Sequence, residues 1–75
     1  MKTTYLALHQ GHANRTTRSR EVNFAVFLNN EYSLKIDRLV GWAKSRRGAE
    51  KMARDASRFN RGRTTIVNAK PEPSA

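Results

Sequence analysis

Ser45-Arg-Arg-Gly-Ala-Glu-Lys-Met-Ala-Arg-Asp-Ala-Ser-Arg-Phe-Asn60 decides how this chain is read. Turned through about 100° per residue, the stretch separates into two faces. Ala49, Met52, Ala53, Ala56 and Phe59 fall on one side. Arg47, Lys51, Arg54 and Arg58 fall on the other, spaced four, three and four residues apart. A helix is therefore expected over 45–60, with an apolar face for a core and a row of cations turned outward. Ser45 suits the N-cap, and Gly62 suits a stop just past Asn60. Glu50 with Arg54, and Lys51 with Asp55, have the (i, i+4) spacing of ion pairs that contribute roughly a few tenths of a kcal/mol each.

Long charged side chains ordinarily occupy a solvated helix face, and for any one of these residues that account suffices. The row as a whole asks for more. Between Lys44 and Arg63 stand eight cations (44, 46, 47, 51, 54, 58, 61 and 63) against only Glu50 and Asp55. A surface shaped only by solubility mixes the signs more evenly. The same excess marks the whole chain of 75 residues, where 15 Lys and Arg face 6 Asp and Glu for a formal charge of +9. Self-repulsion of that size destabilises a small compact state, and a polyanion or an acidic protein surface is the natural partner to offset it. A membrane is not an expected partner: the basic helix carries mostly Ala on its apolar face, too little bulk to anchor in lipid.

A chain of this length is expected to form one domain, over 1–68, with a modest core. It has no cysteine, which suits a reducing compartment and a cytoplasmic protein. No apolar run approaches the roughly 20 residues that span a bilayer, and the amino terminus lacks the apolar core of a signal peptide.

Working outward, Val22, Phe24, Val26 and Leu28 alternate with Asn23, Ala25, Phe27 and Asn29 and read as the clearest strand. Asn29-Asn30 can form a two-residue turn, which would send Glu31 to Ile36 back antiparallel. Residues 37–44 fit either a helix or a continuation of that strand bulged near Gly41; Val40, Gly41 and Trp42 favour the strand. Thr3 to Leu8 reads as a short first strand, and Thr64 to Val67, β-branched throughout, as a last one. From His9 to Arg20 there is no apolar period, and a flexible basic loop is expected. Residues 69–75 hold two prolines and read as a disordered tail. The simplest architecture is α+β: a small antiparallel sheet of three to four strands with one amphipathic C-terminal helix packed on it. Its expected core is Leu6, Leu8, Val22, Phe24, Val26, Leu34, Ile36, Met52, Ala56, Phe59 and Ile66.

Catalytic chemistry finds little support. The six acids are scattered, no Ser sits in a nucleophile elbow, and Gly11, Gly41, Gly48 and Gly62 form no phosphate loop. His9 and His12 could share a metal, but no Cys exists and no acid lies close in sequence, so plain surface histidines are the better reading. A non-enzymatic protein with no cofactor and no metal is expected. Arg15, Arg18 and Arg20 stand among Asn, Thr and Ser, a mixture suited to phosphate contacts and equally to a soluble loop. Arg61 and Arg63 flank the helix end, where cations also complement its dipole. Trp42, Tyr5 and Tyr32 could stack on bases, although packing is the commoner role of such rings. No zinc finger, basic zipper or RNP pattern is present.

The opening Met1-Lys-Thr-Thr-Tyr-Leu-Ala-Leu8, the length, the absent cysteines and the basic helix followed by Arg63-Thr-Thr-Ile-Val67 resemble the small phage-encoded inhibitors of bacterial RNA polymerase, of the Xanthomonas-phage type. The resemblance implies a non-enzymatic regulator in the host cytoplasm that binds the large polymerase subunits, disturbs promoter use and alters termination. It assigns no role residue by residue. Two functions are therefore carried forward: a monomeric transcription regulator docked on RNA polymerase, and a module that binds DNA or RNA through phosphates. In both, Arg15, Arg18, Arg20, Arg47, Lys51, Arg54, Arg58, Arg61 and Arg63 are the expected contacts.

Overall fold

The computed structural model describes residues 2–30, 37–59 and 62–72. The order of elements is β1 (Thr3–His9), β2 (His12–Arg18), β3 (Phe24–Asn30), β4 (Arg38–Ala43), α1 (Arg46–Phe59), β5 (Gly62–Asn68) and β6 (Lys70–Pro71). They form an α+β fold of two three-stranded antiparallel sheets and one helix. One sheet has the order β2-β1-β6 and the other β4-β3-β5.

The helix starts where its cap requires. Ser45 Oγ accepts a hydrogen bond from the Gly48 amide at 3.0 Å, and the Ser45 carbonyl accepts from Ala49 N at 3.0 Å. Gly62, the expected stop, instead opens β5, and residues 60–61 lie outside the described residues. Ala49 and Ala53 are buried against Val26, with Phe24, Ala43, Met52 and Ile66 packed around them. Small side chains on α1 let it lie close to the sheet. Gly41 does the same from below: a Cβ there would stand 2.8 Å from Met52 Sδ.

Strand β3 runs through the middle of its sheet, and its two sides face different layers. Val26 faces the helix. Ala25 and Phe27 join Tyr5, Ala7, Val22 and Ala69 in a second cluster, with Leu39, Trp42 and Val67 against it. This cluster is the filling between the two sheets. The expected core placed only alternate residues of β3 inside, since it supposed a single covered face. Phe27 and Ala25 correct that, because the second sheet covers their side. The same layer takes Tyr5 and Ala7 from β1, so Leu8 points outward and is 65% exposed. Phe59, at the last turn of α1, is 81% exposed. Val22 and Val26 are buried, whereas Leu34 and Ile36 lie outside the described residues.

The second sheet arises from stretches read as irregular. Gln10 and Gly11 have φ of 51° and 76°, the pair of positive values that a type I′ hairpin needs. The expected loop over 9–20 is thus a tight turn followed by strand His12–Arg18, in register with β1 from Thr3↔Arg18 to His9↔His12. It shows no apolar period because it is a polar edge strand, and edges carry charge and hydroxyls to resist further pairing. A Thr4–Thr17 hydroxyl pair at 2.9 Å ties the two strands. Over 69–72 the expected tail is corrected likewise: Ala69 is buried, Tyr5 and Leu6 pair with Pro71 and Lys70, and Glu72 N donates to the Thr4 carbonyl; residues 73–75 lie outside the described residues. Proline is admissible there because β6 is an edge.

Asn29 and Asn30, expected to turn, continue β3 and pair with Arg63 and Gly62. The expected return strand 31–36 lies outside the described residues. Residues 38–43 are the strand favoured above, and Val26↔Gly41 followed by Phe27↔Leu39 leaves Val40 as the bulge. We predict that Gly41→Val, which forces bulk into the contact with Met52, destabilises the fold by about 1–3 kcal/mol. In urea melts, Met52→Ala should recover part of that loss; two independent, additive losses would refute the contact.

Candidate nucleic-acid interface

Arg47, Lys51, Arg54 and Arg58 are all exposed on α1. Among the described residues none of the four forms a salt bridge; Glu50 turns instead to Arg46 at 3.4 Å, in place of the expected Arg54. Twelve residues of helix, from Arg47 to Arg58, carry the row over about 16 Å, the axial length of about five phosphates along one DNA strand. The start of α1 departs from the usual rule. Its first turn holds no acid, while Arg46 and Arg47 stand where the helix dipole disfavours cations. That local cost suits a surface kept for anions.

Strand geometry divides the other expected cluster. Side chains alternate along β2, so Arg15 and Arg18 leave opposite faces. Arg15 lies on the outward face and binds Glu72 Oε1 through Nε at 2.8 Å. Being half-exposed, this pair contributes little stability, but it leaves Arg15 less available than the cations of the helical row. Arg18 donates through Nε to Thr16 Oγ1 at 3.1 Å. It lines a groove of about 350 Å³ with Arg20, Lys44 and Trp42, closed by Ser19, Glu21, Val22 and Ala43. Lys44 and Trp42 are the residues that reading the sequence did not join to Arg18 and Arg20, since only the folded strands bring them together. Arg63 is exposed at the start of β5, and Arg61 lies outside the described residues. The groove and the helical row are contiguous in the chain: Lys44 lines the groove, and α1 begins two residues later.

A second groove, of about 300 Å³, lies between β4 and the end of α1. Leu28, Val40, Met52, Ala56 and Phe59 give it an apolar lining, with Arg38 and Asp55 beside them.

The histidines serve different ends. His9 donates through Nε2 to Asp37 Oδ2 at 2.6 Å and stacks on Phe27 with ring centroids 4.4 Å apart. Asp37 Oδ1 accepts from Asn29 Nδ2 at 2.8 Å, and Asp37 N donates to Gln10 Oε1 at 2.8 Å. The cluster clasps the β1–β2 turn to the β3–β4 sheet across 28 residues of sequence. The His9 and Asn29 hydrogen bonds hold the Asp37 carboxyl below its ordinary pKa, against the opposing effect of burial. His12 is exposed. Among the described residues no three His, Cys, Asp or Glu side chains gather as a metal-ligand set, and no helix is long and apolar enough to cross a membrane.

A depressed carboxylate stabilises the fold above its unfolded pKa of about 3.9 and ceases to do so as pH falls through the folded value. Asp37→Asn should therefore lower stability at pH 7, by about 1–3 kcal/mol, and flatten the acid limb of a Tm-against-pH curve below about pH 4. An acid limb as steep as in the unaltered chain would disprove the clasp.

No family model, curated protein or solved structure matches this chain.

Proposed function

We propose that this chain is a non-enzymatic binding module that engages nucleic acid through its phosphates. The observation that carries this reading is the outward row Arg47, Lys51, Arg54 and Arg58, unpaired with acids among the described residues. Three of the acids that might have neutralised it are committed elsewhere: Glu50 to Arg46, Glu72 to Arg15, and Asp37 to His9 and Asn29. The row therefore keeps its four exposed charges for a partner. Guanidinium and ammonium groups displace counterions from a phosphate backbone, which supplies affinity without sequence preference. The cytoplasm is where such a protein meets its target.

A second reading, docking on RNA polymerase as a transcription regulator, has its own support. Phe59 stands exposed beside the apolar groove, next to the cationic row. A buried apolar anchor within a polar rim is the anatomy of a protein interface.

Two experiments separate the readings. Gel shifts with DNA and RNA should show complexes near 50 mM salt that weaken steeply as salt rises. Replacing Arg47, Lys51, Arg54 and Arg58 together by Gln should cut the log–log salt slope by about three units. Absence of any complex at low salt rejects the first reading. Immobilised protein should retain the large polymerase subunits if the second holds, and Phe59→Ser should release them while sparing oligonucleotide binding. A polymerase that flows through at low salt rejects it.

A further inference from the structure

We infer that the groove beside Trp42 is a site for an unstacked nucleobase and its adjoining phosphate, so that the preferred ligand is single-stranded. This rests on the phosphate-binding reading above and adds to it a strand state and a stacking residue. The groove gathers three cations and one acid around a half-buried indole. Its volume, about 350 Å³, lies within the range of small-ligand sites.

Its walls are held before any ligand arrives. Asn23 N donates to the Ala43 carbonyl at 3.0 Å, its side-chain amide donates to the Lys44 carbonyl at 2.8 Å, and its own carbonyl accepts from Ala69 N at 2.8 Å. The segment carrying Ser19 to Val22 is thereby pinned to the end of β4, and Val22 is buried beneath it. Trp42 packs on the core between the sheets while also lining the groove. A ring fixed in this way offers a stacking surface at little entropic cost.

Arg18, Arg20 and Lys44 supply donors for phosphate oxygens around that ring. Ser19 adds a hydroxyl, and Glu21 adds an acceptor for an exocyclic amine. A base inside a duplex cannot reach a recessed indole, whereas an unpaired base can turn onto it. From the groove the strand would continue along α1, where Arg47 begins the cationic row.

Trp42 is the only tryptophan, so its fluorescence reports the site directly. The unaltered full chain is titrated with an oligothymidylate, with an abasic strand of the same length and with the matching duplex. The oligothymidylate should quench the indole and bind on the order of tenfold tighter than the abasic strand. The duplex should bind without comparable quenching. Trp42→Phe should weaken the oligothymidylate selectively, and replacing Arg18, Arg20 and Lys44 by Gln should reduce both binding and quenching. Equal affinity and equal fluorescence change for the normal and abasic strands would overturn the base site while leaving phosphate binding intact. No binding of any strand at low salt would overturn both. The comparison of strands on the unaltered protein decides the matter even if a variant fails to fold.

Discussion

Burial of β3 on both faces is the condition from which the rest of the architecture follows. Val26 needs a cover on one side and Phe27 on the other. A helix supplies the first and a second sheet the second, which makes three layers from a chain of 75 residues. Each of the two outer layers then has one face left for solvent. On α1 that face is the cationic row; on the outer sheet it bears Leu8, Arg15 and Thr17. Apolar residues on both sides of one central strand let a short chain use its limited hydrophobic content twice.

The same constraint explains the abundance of small residues at the contacts. Ala7, Ala25 and Ala69 lie between the sheets, and Ala49, Ala53 and Gly41 lie between helix and sheet. Close approach compensates for low side-chain volume, because dispersion depends on contact and not on bulk alone. It also fixes the rotation of α1 about its axis. With Ala49 and Ala53 pressed inward, Arg47, Lys51, Arg54 and Arg58 have no direction but outward.

The helix was legible because a 3.6-residue period shows within a single stretch: 45–60 was expected and 46–59 is helical. The central strand and β5 were legible through alternation and β-branching. Strand β2 was not, since His12–Arg18 has only one apolar residue with which to show a period. Strand β6 was hidden by its proline. The site divides the same way. The helical row could be read from spacing alone. The separation of Arg15 from Arg18 needed the strand, and the meeting of Arg18, Arg20, Trp42 and Lys44 needed the tertiary fold. His9 found its acid 28 residues away, beyond the reach of any local pattern.

The pairing of β1 with β6 joins the two ends of the described chain: Tyr5 sits opposite Pro71. During synthesis β1 therefore waits for β6, made much later, before its second edge is satisfied. Closing so long a loop is entropically slow and rewards the chain only at the finish. Until Ala69 arrives, the lining contributed by Tyr5 and Ala7 has an open flank, and the nascent protein passes through a stage in which β1 is vulnerable to aggregation.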